Sequence, residues 1–228
     1  MERIILDDIP FEADENGLME LLRIRPGTRN AADFCAILRE AGAVARPRAG
    51  FGVASPVMAG DDSVEIGQVR FTGRILRVNL EKAGVVFPFV ATCGTELEEW
   101  SSGLSGTLHA FWAENIMLLA LGSAVARLEQ HLKDRLGVQE FSTMNPGSLP
   151  EWPIEQQAPL FALLGDTVRA MGVRLTDRMV IRPLKSVSGI SFVSAEGFVN
   201  CALCPRERCP SRRAAYDAAL YRIRFTGT

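Results

Sequence analysis

The chain has 228 residues, 47% hydrophobic and 23% charged, and its 25 basic and 27 acidic side chains leave a net charge of −2. This balance excludes disorder and fibrous repeats, gives no global attraction to nucleic acid or anionic lipid, and leaves enough chain for a sizeable core. No charge-free apolar run approaches the roughly 20 residues of a membrane-spanning helix, and the opening MERIILDDIPFEADE is too acidic for a signal peptide. No membrane role and a cytoplasmic location are therefore expected.

In chain order, GLMELLRI and AADFCAILREAG, split by the breaker RPGTRN, read as two helices. Asn30 is the expected cap of the second, and Phe34, Ile37 and Leu38 form its apolar stripe. Between residues 50 and 90 the pattern turns β-rich, and FGVASPV, VEIGQV, RILRVNL and GVVFPFVAT read as strands separated by GDD and KAG turns. ATCGTELEEW ends a strand and begins a helix, with Thr95 as N-cap and Glu98 completing a capping box. Apolar residues at Leu108, Phe111, Trp112, Leu118, Leu119, Val125, Leu128 and Leu132 recur at helical spacing and predict a long central helix.

A loop containing Pro146, Gly147, Pro150 and Pro153 leads into IEQQAPLFALLGDTVRAMG, read as one helix with Pro159 in its first turns and Gly172 as its stop. VRLTDRMVIRP, the turn KSVSG and two short strands, ISFVSA and GFVNC, follow. With no repeat or linker in view, residues 1–228 are expected to form a single domain. Its class is α+β, an antiparallel sheet drawn mostly from residues 50–90 and 175–200 and covered by helices.

The five cysteines, Cys35, Cys93, Cys201, Cys204 and Cys209, do not form a disulfide framework. Three of them follow a Cys-x-x-Cys-x4-Cys spacing, close enough to converge on one centre. A [4Fe–4S] cluster is favoured over zinc, with Cys93 or Cys35 available as a fourth ligand, and an unmetallated loop remains the alternative. Beyond Cys201, six arginines against Glu207 and Asp217 give the tail a net charge of +4, which would lower thiol pKa values or dock an acidic partner. No phosphate loop, nucleophile elbow or His-Glu-x-x-His helix is present.

The segment Leu175-Thr176, Pro183, Ser186, Ser188, Gly189 and then Ile190 to Val193 resembles a motif of the activation domain of vitamin B12-dependent methionine synthase. Asn145-Pro146-Gly147 with Trp152-Pro153 is similar to that family's Pro-Gly loop, and Ala91-Thr92-Cys93-Gly94 before an acidic helix resembles its stand-alone members. The likeness runs from about Phe89 to Val193. It implies an S-adenosylmethionine site in a groove formed by Asn145, Gly147, Ser186, Ser188 and Gly189, with Glu129 on the long helix as the acid facing the ligand's positive charges.

Two positions depart from the family pattern: Thr143 and Ser148 stand where an arginine precedes and a tyrosine follows the Pro-Gly pair. Arg182 or Lys185 is then expected to anchor the ligand's anionic group. The resemblance implies a reactivation partner of a cobalamin-dependent methyltransferase, in which oxidised cobalt is reduced and remethylated. The cobalamin would come from a corrinoid protein or a methionine synthase lacking its own activation domain, and the electron from a donor or from the cysteine cluster. The alternative is a non-catalytic iron–sulfur or metal-binding partner of a corrinoid protein that has lost S-adenosylmethionine.

Overall fold

The computed structural model describes residues 1–137, 141–193, 200–204, 206, 208, 212 and 214–225, with the backbone only at 200, 201, 221 and 223–225. The first part of the chain runs β1 (Glu2–Leu6), α1 (Glu15–Leu21), α2 (Arg29–Val44), β2 (Arg48–Val53), β3 (Pro56–Met58), β4 (Ser63–Ile66), β5 (Val69–Thr72), α3 (Arg74–Leu80) and β6 (Val86–Thr92). Next come α4 (Thr95–Ser102), α5 (Thr107–Leu136), β7 (Ser142–Met144), a 3₁₀ turn (Ile154–Gln156), α6 (Gln157–Leu164) and α7 (Asp166–Ala170). The order ends with β8 (Arg174–Leu175), β9 (Ile181–Arg182), β10 (Ser186–Phe192), α8 (Asn200–Leu203) and α9 (Ala218–Phe225).

A five-stranded antiparallel sheet in the order β1-β2-β6-β10-β7 organises the domain, with β3-β4-β5 and β8-β9 as smaller sheets beside it. The α+β class read from the sequence is the class found. Strand β6 is buried along its whole length, as a central strand covered on both faces should be. It carries Pro88, which has no N–H to give. The β2 ladder accordingly runs as far as Phe51↔Phe89 and resumes beyond Pro88 as the isolated bridge Ala54↔Val86.

The two faces of the sheet bury different cores. On one side Val86, Val90, Ile190 and Phe192 pack with Leu160, Leu163 and Leu164 of α6, with α3, and with the small sheet. On the other, Phe51, Phe87 and Phe89 pack under Ala124, Leu128 and Leu132 of α5. The N-terminal half of α5 joins α2 and α4 in a third cluster around Trp112, Phe34, Leu97 and Cys93. By length and composition α5 could cross a membrane, but Trp112, Ile116, Ala120, Leu128 and Leu132 are spent on these cores.

Several local readings are corrected. RILRVNL forms helix α3 and not a strand, because Ile75, Leu76 and Leu80 bury one face of it against the small sheet. Thr28, not Asn30, caps α2, its hydroxyl accepting from Ala31 N at 3.3 Å. Helix α4 begins after Gly94 with no side-chain cap, and Glu98 is drawn away to the residues before β10. The single helix expected after Pro153 breaks at Gly165, whose φ of 54° is left-handed, into α6 and α7. KSVSG is no turn but lies along the start of β10. The GFVNC strand falls largely outside the described residues, and its Asn200 and Cys201 lie in α8. Strands β1 and β7, both edges of the main sheet, complete it outside the expected ranges.

Candidate functional site

The two motifs singled out in the sequence meet at the β10–β7 edge. Strand β7 pairs with β10 in the register Ile190↔Met144 and Ser191↔Thr143, so the Pro-Gly loop leaves the sheet beside Gly189. Asn145 Nδ2 donates to the Ser188 carbonyl at 2.8 Å. The loop closes on itself as Gly147 N donates to the Trp152 carbonyl at 2.8 Å and Ser148 N to the Asn145 carbonyl at 3.1 Å. The close approach depends on Gly189: a Cβ there would lie 2.5 Å from Met144 O and 2.7 Å from Asn145 Nδ2. At Gly147, with φ of 79°, the side-chain space is filled by Ile154.

Strand alternation then divides the predicted residues. Ser186 and Ser188 share a face with Ile190 and Phe192 and are held by protein partners. Ser186 Oγ lies 2.8 Å from Thr92 Oγ1 and 2.7 Å from the Pro183 carbonyl. Ser188, buried, is 3.4 Å from Gln157 Oε1, and Gln157 in turn donates to the Met179 carbonyl at 3.1 Å. Lys185, Val187, Gly189 and Ser191 alternate to the opposite face, where Val187, like Leu121, Val125 and Phe141, packs partly buried against the α5-side core.

Helix α5 packs on β2 and β6, and β10 and the edge strand β7 follow them in the sheet order; the strip of sheet along β10 and β7 on the α5 side is termed the lane. Thr143 Oγ1 and Ser191 Oγ are 2.9 Å apart and one donates to the other; Ser191 is buried and Thr143 half-buried, so Thr143 is the hydroxyl of the pair nearer to solvent. Thr143 therefore lies on the same face as Ser191. At the start of the lane Lys185 Nζ pairs with Glu114 of α5. Glu129 lies farther along the same helix, half-buried, two i,i+4 steps beyond Leu121. Arg182 instead pairs with Glu98 at 3.3 Å, and the same Glu98 oxygen accepts from Leu184 N at 2.6 Å. Sequence reasoning missed Glu114, Thr143 and Ser191 as lane residues; the odd-numbered parity of β10 was the available signal for Ser191.

The turn from β6 into α4 carries the strongest electrostatic perturbations. Burial, reinforced by the nearby negative charge of Glu98, pushes the Cys93 thiol up to about 12, so it is neither a ready nucleophile nor a ready ligand. Arg48 grips Glu96 with two hydrogen bonds, at 3.0 and 2.5 Å. Burial alone would raise the Glu96 carboxyl, but these bonds and the guanidinium charge outweigh it and hold the carboxyl below its usual range.

Of the three clustered thiols, only Cys204 has a described side chain. It is half-buried against the core beneath β10, next to Leu203. Cys209 and the Cys201 side chain lie outside the described residues, and among those described no three His, Cys, Asp or Glu side chains group as metal ligands. Cys93 belongs to the α2–α4–α5 core, where Cys35 packs beside it, so neither sits in the core that holds Cys204.

Neither known family models nor curated protein sequences match this chain. Among solved structures, the MetH reactivation domain bound to AdoHcy superposes with a TM-score of 0.60 over 87% of this chain and 80% of that one, at 14% identity. The two share a fold. At this identity the likeness fixes the architecture, the mixed helix and antiparallel-sheet domain described above, and the roles of side chains rest on their own geometry.

Proposed function

We propose that this protein binds S-adenosylmethionine in the lane between α5 and the β10–β7 edge and acts as the reactivation partner of a cobalamin-dependent methyltransferase. The observation that carries the reading is the fold shared with a reactivation domain solved with AdoHcy, the product left when S-adenosylmethionine gives up its methyl group. The lane adds chemical support: the partly buried apolar Leu121, Val125 and Val187, the half-buried Thr143 hydroxyl, and the charged Lys185 and Glu114 at one end. Such a mixture suits a ligand that joins an apolar thioether to a nucleoside and an amino acid.

In this reading the corrinoid belongs to the partner, either a corrinoid protein or a methionine synthase without its own activation domain, in the cytoplasm. The cobalamin supplies the methyl-accepting cobalt when bound by that partner. The present chain holds the methyl donor still and presents it. With reducing equivalents from an external one-electron donor, the partner's corrinoid would accept the methyl group of the bound sulfonium, and this chain would be left holding S-adenosylhomocysteine. A cluster on Cys201, Cys204 and Cys209 is proposed separately, as a metal site to be tested by iron and sulfide content after anaerobic purification. No step above depends on it.

Calorimetric titration with S-adenosylmethionine tests the binding. A mixture of the protein, a cobalt(II) corrinoid partner, a low-potential reductant and S-adenosylmethionine should form methylcobalamin, followed by its visible absorbance, only when all four are present. Absence of both binding and methylcobalamin would overturn the proposal. The engagement of Thr143 with Ser191, where the resembling family has an arginine, favours a second reading: a non-catalytic corrinoid-protein partner that no longer takes the ligand. Partner binding without S-adenosylmethionine binding is the result that selects it.

A further inference from the structure

Three ion pairs surround the start of β10, and two of them serve the fold. Glu96 is gripped through both oxygens by Arg48. The Glu98 oxygen that meets Arg182 also holds the Leu184 amide, which fastens the approach to β10 onto α4. The third pair is different: Lys185 and Glu114 meet through a single contact between strand and helix, and among the described residues no other hydrogen bond engages either side chain. Their side chains are 26% and 49% exposed, so opening the pair sacrifices little.

The position of this pair is fixed from both sides. The Lys185 carbonyl accepts from Cys93 N at 2.9 Å, which extends the β6–β10 ladder by one residue and roots the lysine on the face shared with Val187, Gly189 and Ser191. Glu114 stands on α5 one turn before Leu118, on the flank that continues to Leu121 and Val125. Lysine and glutamate thus sit at one end of the lane, and the Thr143–Ser191 hydroxyls sit about 20 Å away along β10, at about 3.3 Å per residue.

We propose that Lys185 and Glu114 form a clamp for an α-amino-acid zwitterion. The ligand's carboxylate replaces Glu114 on the lysine ammonium and its ammonium replaces Lys185 on the glutamate, so one internal pair is exchanged for two charge-assisted ones. The clamp is neutral as a whole and selects a ligand that carries both charges on neighbouring atoms over one that carries neither. The remainder of the ligand extends from the clamp along Val187, which is half-buried. Glu129, fifteen residues farther along α5, lies about 22 Å away at about 1.5 Å per residue, too far to contact the amino-acid head. This inference rests on the reading of the lane as an S-adenosylmethionine site and assigns the end that reads the amino acid.

The test compares S-adenosylmethionine and S-adenosylhomocysteine with 5′-methylthioadenosine, which keeps the adenosyl thioether and lacks the amino acid, by calorimetry on the full chain. The wild type should bind the first two at least about tenfold more tightly than the third, the size of one good charge-assisted contact. Glu114→Gln and Lys185→Gln should each cut that ratio to about threefold or less while leaving 5′-methylthioadenosine affinity unchanged, which also reports that the variants are folded. Glu129→Gln should keep the wild-type ratio. Equal wild-type affinity for all three compounds, or variants that weaken all three equally, overturns the clamp and leaves the lane standing. Failure of the wild type to bind any of the three overturns the lane itself.

Discussion

The two faces of β10 are built from one short stretch of sequence and do opposite things. On the face toward α6, Ser186, Ser188, Ile190 and Phe192 are consumed by the protein: the serines by Thr92, the Pro183 carbonyl and Gln157, the apolar pair by the core. On the face toward α5 the strand is buried at Gly189 and at Ser191, which is hydrogen-bonded to Thr143, but at its start Val187 is only half-buried and Lys185 reaches a single partner. A strand fastened tightly through one face can hold the groups on its other face in place without help from a ligand. The serines of the Ser-x-Ser-Gly motif therefore belong to the α6 face, and the residues between and beyond them to the α5 face.

This contrast is most directly broken by deletion on the two faces. Phe192→Ala empties a fully buried site and should cost about 3–5 kcal/mol in chemical denaturation, whereas Val187→Ala should cost less than about 1.5 kcal/mol, because its surroundings are already partly open to water. Ligand titrations should show the reverse order at temperatures where both variants are folded, with Val187→Ala the one that alters affinity. Comparable stability losses at the two positions would mean that the α5 face is as tightly packed as the other.

A smaller effect is expected at the junction of the two motifs. The added methyl of Gly189→Ala meets backbone oxygen and the Asn145 amide, neither of which can retreat without opening the β7–β10 edge. Overpacking of this kind should cost about 1–3 kcal/mol, and the Asn145 to Ser188 hydrogen bond should be lost with it. Hydrogen exchange at the amides of Met144 and Ile190 is the sharper measurement. Protection unchanged from the wild type would show that the edge yields and that the glycine is dispensable.

Much of this arrangement is legible in the sequence, and the failures have physical causes. The long helix announces itself because Trp112, Leu128 and Leu132 keep helical spacing over many turns. The Arg74–Leu80 segment misleads because β-branched Ile75 and Val78 suit a strand, while its fate is decided by packing against the small sheet. Strand β1 is hidden by its acidic surroundings. Within the site, the order of the motifs places the Pro-Gly loop beside β10, but assigning Ser186 and Ser188 to the groove overlooks a constraint in the same stretch. Ile190 and Phe192 must face a core, and with a period of two the serines face it too. The Lys185–Glu114 pair is beyond such reasoning, since it joins a strand to a helix far away in sequence.

The smallest expected effect concerns the pair that anchors the opposite end of this region. The Glu96 carboxyl is held below its usual range by Arg48, against the pull of partial burial. A carboxylate lowered on folding stabilises the protein fully above its unfolded value of about 4.3 and loses that contribution as pH falls through the folded value, so the loss belongs below about pH 4.3. The Tm difference between the wild type and Glu96→Gln should be greatest near neutral pH and shrink as pH drops below that range. It should remain modest, because the carboxylate is 35% exposed and solvent screens the pair. Added salt at neutral pH should narrow the same difference further. A difference that stays constant from neutral to acid pH would show that the substitution acts through packing alone and that the Arg48 ion pair contributes nothing to folding.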